Sequence, residues 1–256
     1  MELESGEKAA LKCSYYPGRY LLNDYGALLD LQETGRVPEV WGWYKEAEKG
    51  DCYLMETLGP SLLAIREANG DTKWPDSLLA SIGVSLLNGI ESFSTSPGHV
   101  MHGDSFAGNI LLSAHASGSC YRHRRALFFV DFDLSKRMYL PEDLYPEVRQ
   151  VMYTILYLAR GDSFFLQIYD HRSCDSGADS RCTSQGVDVT FCALLRYACT
   201  LTPDESSKPV DFVKMRNALS ALISSGPTHI IQWPEEIVIP ESDHPVDAGI
   251  KILPNS

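Results

Sequence analysis

The stretch HVMHGDSFAGNILL, residues 99–112, constrains the fold of this chain more than any other segment. Apolar residues precede and follow a polar centre, which holds Asp104 and, five residues later, Asn109. Such flanks are typical of short buried β-strands joined by a polar loop. The polar side chains would then lie on a rigid scaffold, where reactive groups are commonly found. A turn satisfied by its own side chains is the alternative interpretation.

A second acidic motif follows downstream, in the segment ALFFVDFDLSKR at residues 126–137. Five apolar residues lead directly into Asp131, so the pattern predicts a carboxylate at the end of a buried strand. A carboxylate there is costly unless it is paired with a cation. Asp104, Asn109 and Asp131 together offer oxygen ligands and a proton acceptor. Phosphoryl transfer with Mg²⁺ and a nucleotide needs that set of groups.

The combination HGDxxxxN and DFD resembles the catalytic loop and the metal-binding segment of the protein-kinase superfamily, usually written HRDxxxxN and DFG. Two further stretches are similar to the casein kinase I and vaccinia-related kinase group. The segment YLMETLGPSLLAI at 53–65 resembles the hinge of that group, and residues 197–219 resemble its late C-lobe. Vaccinia-related kinases also read HGD. The resemblance extends over roughly residues 5–222.

This resemblance implies an α+β, bilobal protein-kinase-like fold. It would have a small, incomplete β-rich N-lobe at residues 1–57 and a mainly α-helical C-lobe at 58–225. A Pro-containing acidic tail would follow at 226–256.

Apolar periodicity predicts the individual elements. Strand patterns fall at 9–13, 41–44 and 53–55, the first of them after a hairpin turn at Ser5-Gly6. Helical spacing falls at 20–31, 79–93, 148–158, 188–200 and 208–223. The polar stretch 171–187 is predicted to be a loop.

On the nucleotide side, the resemblance gives five residues a role. Lys12 would neutralise the α- and β-phosphates of ATP, and Asp24 would tether it. Asp24 is one methylene shorter than the Glu of the family, so a looser pair is expected. Met55 matches the gatekeeper, and the backbones of Glu56 and Leu58 would meet the adenine edge.

On the catalytic side, Asp104 would accept the proton of the substrate hydroxyl, while Asn109 and Asp131 would hold Mg²⁺. The remaining matched positions would be structural. They are His102 and Phe132, which would pack in the interior, and Glu147, which would anchor the backbone of the catalytic loop.

The chain also departs from the family pattern. No Gly-x-Gly-x-x-Gly precedes Lys12, which leaves open a missing roof over the phosphates or a truncated gene model. Phe106 stands where protein kinases keep a Lys, and Asp133 replaces the glycine of DFG. The segment between Asp131 and Glu147 is short and lacks Ala-Pro-Glu, which leaves little platform for a peptide.

Three functions therefore stay open. The first is a weak ATP-dependent Ser/Thr protein kinase, a transferase that uses ATP and Mg²⁺ and acts on a protein substrate. The second is a pseudokinase that serves as a binding or scaffold module for a protein partner. The third is a small-molecule kinase of the aminoglycoside/choline type, which resembles HGDxxxxNIL and DFD closely.

Composition limits the partners and the compartment. The net charge of −12 argues against a nucleic acid or an anionic membrane as partner. No apolar run reaches the ~18 residues of a membrane span, so no membrane association is expected. Seven cysteines without regular spacing predict reduced thiols and a cytoplasmic or nuclear protein. The protein is expected to be a monomer.

Overall fold

The structure is a computed structural model that describes residues 9–14, 19–46, 50–113, 126–161, 186–203, 208–223, 231 and 233–240. Within these residues the chain is an α+β protein with small antiparallel sheets. The strands are β1 Ala9–Ser14, β2 Val40–Glu46, β3 Gly50–Glu56, β4 Leu58–Ser61, β5 Val100–Met101, β6 Ile110–Ser113, β7 Leu127–Phe129 and β8 Lys136–Arg137. The helices are α1 Arg19–Leu31, α2 Leu62–Ala68, α3 Asp76–Thr95, α4 Tyr145–Arg160, α5 Val189–Thr200 and α6 Phe212–Ser220. Single 3₁₀ turns lie at Gln32–Thr34, Ala107–Asn109, Phe132–Leu134 and Pro141–Leu144.

The first sheet has the strand order β1-β3-β2, and all its pairs are antiparallel. Its register sets Lys12 directly opposite Tyr53, so both side chains lie on the same face. Helix α1 packs against that face, where Tyr25 contacts the rings of Tyr53 and Trp43 at centroid distances of 5.5 and 5.1 Å. The sheet and the helix thus bring Lys12 next to α1.

Two strand pairings place the two acidic motifs side by side. Strand β5 pairs with β8, and β6 pairs with β7. The HGD loop connects β5 to β6, and the DFD turn connects β7 to β8. Because each strand before one loop pairs with the strand after the other, the two loops must lie next to each other.

The helices form the larger part of the core. Helix α3 is buried on almost all sides, and it packs against α4, α6 and β7. Gly89 allows the last of these contacts, because a Cβ added there would overlap the ring of Phe129. None of the helices in the described segments combines the length and the hydropathy of a membrane-spanning helix.

The predicted elements are present where the structure describes them, with shifted ends. The helix predicted at 208–223 begins only at Phe212, because Pro209 lies just upstream and the Asp211 side chain caps the first turn by accepting from the Lys214 N–H at 2.8 Å. The predicted Ser5-Gly6 turn, residues 171–185 of the predicted loop and most of the tail lie outside the described residues.

Strand β4 and helix α2 were not predicted. The hinge assigned to the start of this segment continues into β4, which pairs with β6 from Leu58 to Ser61. The local sequence does not predict this strand, because Gly59 and Pro60 both disfavour regular strands. The register shifts between Leu58 and Ser61, and such an irregularity tolerates a residue without an N–H donor.

The expectation of reduced thiols is wrong for four cysteines. Cys13 and Cys52 lie directly opposite each other in β1 and β3 and form a disulfide. Cys192 and Cys199 are each disulfide-bonded as well. Irregular spacing could not reveal the pairing of Cys13 with Cys52, because 39 positions of chain separate the two residues and only the sheet register joins them. The cysteine argument for a cytoplasmic or nuclear location is thereby removed.

Candidate functional site

Asp24 is the most deeply buried carboxylate of the site, with 0% of its surface exposed. It lies on the apolar stripe of α1 formed by Leu21, Leu28 and Leu31, which explains its burial. Three donors satisfy it there. Lys12 Nζ donates to Oδ2 at 2.6 Å, the Phe132 N–H donates to Oδ1 at 2.7 Å, and the Tyr53 hydroxyl donates to Oδ2.

The predicted pair of Lys12 and Asp24 is therefore present, and the shorter acid is not loosely held. Tyr53 and the Phe132 N–H supply donors that sequence reasoning missed. The signal available in the sequence was an Asp within an apolar helical stripe, which demands buried partners. The identity of those partners depends on the pairing of distant strands.

Lys12 contacts two further carboxylates. Its Nζ lies 2.5 Å from Asp131 Oδ1 and 3.1 Å from Asp133 Oδ1. Burial alone lowers the pKa of Lys12, but the charges of Asp24, Asp131 and Asp133 outweigh burial and raise that pKa above its ordinary value. One ammonium thus faces three carboxylates whose oxygens lie within 4.8 Å of one another. Carboxylate oxygens are ligands for hard cations, so these three residues could hold a metal ion.

Asp131 adopts an unusual backbone conformation. Its φ of 67° and ψ of 62° lie in the left-handed region, which Asp tolerates better than most residues. The turn directs its carboxylate to Lys12 and buries the next residue, Phe132. Asn23, beside Asp24 on α1, holds the far side of this turn by donating to the Ser135 carbonyl at 2.9 Å. Backbone strain of this kind is concentrated at functional sites.

Asp104 and Asn109 form the second half of the site. Asn109 Nδ2 donates to Asp104 Oδ2 and to the Asp104 carbonyl, each at 3.0 Å. Burial and the charge of Asp131 raise the pKa of Asp104, while the Asn109 hydrogen bond opposes the shift. The charge of Asp131 reaches Asp104, so the two loops share one electrostatic environment.

Three polar side chains on α4 hold the HGD loop in place by hydrogen bonds. Glu147, 2% exposed, accepts from the Gly103 N–H at 2.6 Å and from the Ser105 hydroxyl at 2.7 Å. Burial raises the pKa of Glu147, and this effect outweighs the two hydrogen bonds, which lower that pKa. Gln150 and Thr154 also bond to the loop. Sequence reasoning assigned Glu147 correctly to this place but missed the other two, which lie three and seven positions further along the same helix face.

Gly103 lies where the HGD and DFD loops approach each other closely. Its φ is +87°, and a Cβ added there would lie 2.6 Å from the Leu134 carbonyl oxygen. A side chain at this position would therefore push the HGD and DFD loops apart.

His102 connects the two loops as a neutral ring. Burial lowers its pKa to about 4, and its exposed surface is 0%. With a neutral ring, Nε2 donates to the Val130 carbonyl at 3.0 Å and Nδ1 accepts from the Asp104 N–H at 3.2 Å. Its ring lies 4.3 Å from the Phe132 ring, centroid to centroid. Both residues thus pack in the interior.

The residues assigned to the adenine side line a small, mostly apolar cleft. Met55, Glu56 and Leu58 are among the lining residues, and Met55 and Leu58 are buried. The Thr57 hydroxyl is buried here and has no hydrogen-bond partner among the described residues. The full lining is Ala10, Met55, Glu56, Thr57, Leu58, Leu111 and Val130.

The structure brings Lys12, Asp24 and Asp131 into direct contact and joins Asp104 to Asn109 beside them. The cleft shares β1 and β3 with this cluster, since Ala10 and Lys12 belong to one strand. No protein-family model and no curated protein matches this chain.

Proposed function

We propose that this protein is an ATP-dependent phosphotransferase of the protein-kinase type, which transfers the γ-phosphate of ATP to a Ser or Thr hydroxyl of a protein. One observation carries the proposal: Lys12 Nζ contacts both Asp24 on α1, at 2.6 Å, and Asp131 after β7, at 2.5 Å. A buried cation that joins such distant segments beside a second acidic loop is the arrangement that phosphate positioning requires.

The architecture that we infer is bilobal. Strands β1 to β3 with α1 would form the N-lobe of residues 1–57, and helices α3 to α6 would form most of the C-lobe of 58–225. The chain would cross between the lobes at Glu56–Leu58, on the edge of the apolar cleft. Both this position and the separate sheets support the inference.

The nucleotide would lie with its adenine in the cleft and its phosphates towards Lys12. Ala10 and Val130 offer apolar walls for a flat ring, and the backbones of Glu56 and Leu58 offer hydrogen-bonding groups at the edge. Mg²⁺ would be held by Asn109 and Asp131 and would neutralise charge on the phosphates. The oxygens of Asp131, Asp24 and Asp133 lie within 4.8 Å of one another, which supports Asp131 as a ligand.

In the proposed reaction, the oxygen of the acceptor hydroxyl attacks the γ-phosphorus while Asp104 accepts the hydroxyl proton. ADP then leaves. The raised pKa of Asp104 makes it a better proton acceptor than an exposed Asp. Asn109 fixes the orientation of its carboxylate through Oδ2. Lys12 supplies positive charge near the transferred group.

A second candidate is nucleotide binding without efficient transfer, as in a pseudokinase. Phe106 favours it, since this residue packs against the ring of Tyr157 at 5.0 Å where protein kinases keep a cation. One lost cationic contact costs about 2–4 kcal/mol of transition-state stabilisation. The expected transfer is accordingly slow.

A third candidate is transfer to a small molecule. Between Asp131 and Glu147 the chain forms only two 3₁₀ turns and the two-residue strand β8 before α4 begins. This compact segment favours a small acceptor over an extended peptide.

Thermal unfolding with Mg²⁺ and ATP, followed by a transfer assay, tests the proposal. We expect Mg²⁺-ATP to raise the melting temperature of the unaltered protein and of Asp104→Asn, but not of Lys12→Met or Asp131→Asn. Asp104→Asn should also lose transfer by roughly 10²–10⁴-fold. Asp71→Asn, at an exposed position, is the matched control and should behave like the unaltered protein.

The molecule that receives the phosphate distinguishes the three candidate functions. Labelled phosphate on a protein such as casein supports the proposal, and label on choline or an aminoglycoside supports the small-molecule kinase. Stabilisation without label on either supports the pseudokinase. Absence of any stabilisation by Mg²⁺-ATP would contradict both kinase candidates and would leave only a scaffold module that does not bind the nucleotide.

A further inference from the structure

Gln150 on α4 is hydrogen-bonded to both peptide groups that flank Asp104. Its Oε1 accepts from the Ser105 N–H at 2.8 Å, and its Nε2 donates to the Gly103 carbonyl at 3.3 Å. The first group belongs to the peptide after Asp104, and the second belongs to the peptide before it. One amide side chain therefore holds the backbone on both sides of Asp104.

The amide group of Gln150 matches the hydrogen-bonding groups of the loop around Asp104. The loop presents one donor and one acceptor, and an amide offers one acceptor and one donor at the same reach. A carboxylate could only accept, so it would face the Gly103 carbonyl with a negative charge. Glu147, one helical turn earlier, meets two donors and no acceptor in the same loop. The two side chains are thus not interchangeable.

Gln150 complements the contacts at the other end of Asp104. Asn109 holds the carboxylate through Oδ2, and Gln150 holds the backbone. Thr154 adds a hydrogen bond to the Ser105 carbonyl at 3.0 Å. With both ends fixed, the Asp104 carboxylate has little freedom to move relative to an acceptor.

We propose that Gln150 is a positioning residue for Asp104, which acts by fixing the two peptide groups around it. This inference rests on the proposed phosphotransfer function. Small displacements of a reacting group lower rates steeply, by up to about 10²-fold for 1 Å. Loss of the Gln150 amide should therefore lower kcat roughly 10-fold or more. The KM for ATP should stay within about 2-fold, because Gln150 contacts neither Lys12 nor the apolar cleft among the described contacts.

The test compares Gln150→Met with the unaltered protein. Methionine keeps the length of the side chain and removes both hydrogen bonds. Arg149→Met, at the neighbouring position of α4, is the matched control, since its described hydrogen bond stays within the helix. Turnover is measured with Mg²⁺-ATP and the acceptor found in the transfer assay, and exchange of the Ser105 amide is measured by NMR.

We expect Gln150→Met to lower kcat at constant KM and to speed the exchange of the Ser105 amide, with both unchanged in Arg149→Met. Unchanged kcat in Gln150→Met overturns the inference, and so does a fall in kcat without faster Ser105 exchange. Either result leaves the proposed function standing if the unaltered protein binds Mg²⁺-ATP and turns it over. An unaltered protein that Mg²⁺-ATP does not stabilise overturns the proposed function instead.

Discussion

Lys12 Nζ lies 2.6 Å from Asp24 Oδ2 and 2.5 Å from Asp131 Oδ1, so a single side chain of β1 connects α1 to the turn after β7. The three groups are not equally shielded. Asp24 has no exposed side-chain surface, whereas about a third of the Asp131 side chain, 32%, is open to solvent. Asp24 therefore depends on the cation for its stability, whereas Asp131 is also solvated by water.

Lys12→Met should destabilise the protein by roughly 3 kcal/mol, because it leaves the buried Asp24 charge without its cation. Unfolding in urea measures this loss. Lys73→Met, at an exposed position, should leave the free energy of unfolding unchanged. The double variant Lys12→Met/Asp24→Asn should be more stable than Lys12→Met, and a double variant that is less stable would contradict the pairing.

Tyr53→Phe should cost about 1–2 kcal/mol, since it removes one of the three donors to Asp24 while keeping the apolar ring. The raised pKa of Tyr53, caused by burial and the charge of Asp24, reflects the same hydroxyl contact. The midpoint of urea unfolding checks the loss, with Tyr20→Phe at an exposed position as control. Equal midpoints for both variants would mean that the hydroxyl does not stabilise Asp24.

Protein stability should fall as the pH drops from about 6.5 towards 4, because His102 is neutral in the fold. Burial lowers its pKa to about 4, whereas the unfolded chain binds the proton near 6.5. The stabilisation is therefore present above the unfolded pKa and is lost as the pH falls, by on the order of 3 kcal/mol. The buried Glu147, whose pKa is raised, opposes this trend as it takes up a proton in the fold.

The slope attributable to His102 is the difference between the unaltered protein and His102→Phe. Free energies of unfolding at several pH values in this window give that difference. NMR titration of the ring gives a second measure that does not need a variant. Protonation of the His102 ring in the folded protein near pH 6.5 would contradict the prediction.

The elements of the fold follow from local patterns in the sequence. Strand patterns predicted the segments that became β1, β2 and β3, and helical spacing predicted α1, α3 and α4. Strand β4 was not predicted, because Gly59 and Pro60 have low strand propensity. Its pairing with β6 compensates for that low propensity. Local pattern thus predicts an element until tertiary contacts override its propensities.

The motif residues of the site could be predicted from the sequence, but the residues that hold them in place could not. Asp104, Asn109 and Asp131 stand in recognisable spacings along the chain. Tyr53 and Gln150 do not, since each reaches its partner only through the sheet register or the packing of a helix against a loop. The pairing of Cys13 with Cys52 was hidden for the same reason, because register between distant strands is not encoded in local spacing.

Gly103→Ala should both destabilise the protein and disturb the site. The φ of +87° is strained for any residue with a Cβ, and the added carbon would lie 2.6 Å from the Leu134 carbonyl oxygen, which is backbone and cannot rotate away. We expect a loss of at least about 2 kcal/mol in the free energy of unfolding. Gly26→Ala is the matched control, because Gly26 lies inside α1 with nothing within 4 Å of an added Cβ.

The two alanines should act in opposite directions. Gly26→Ala should raise the free energy of unfolding by up to about 1 kcal/mol, since alanine is the better helix former. Gly103→Ala should also displace Asp104 from the DFD turn, because the HGD and DFD loops meet at Gly103 and Leu134. Its nucleotide-dependent transfer should then fall further than its melting temperature explains. Transfer rates measured at a temperature where both variants stay folded separate the two effects. Equal stability of the two variants would mean that the loops are not in contact at Gly103.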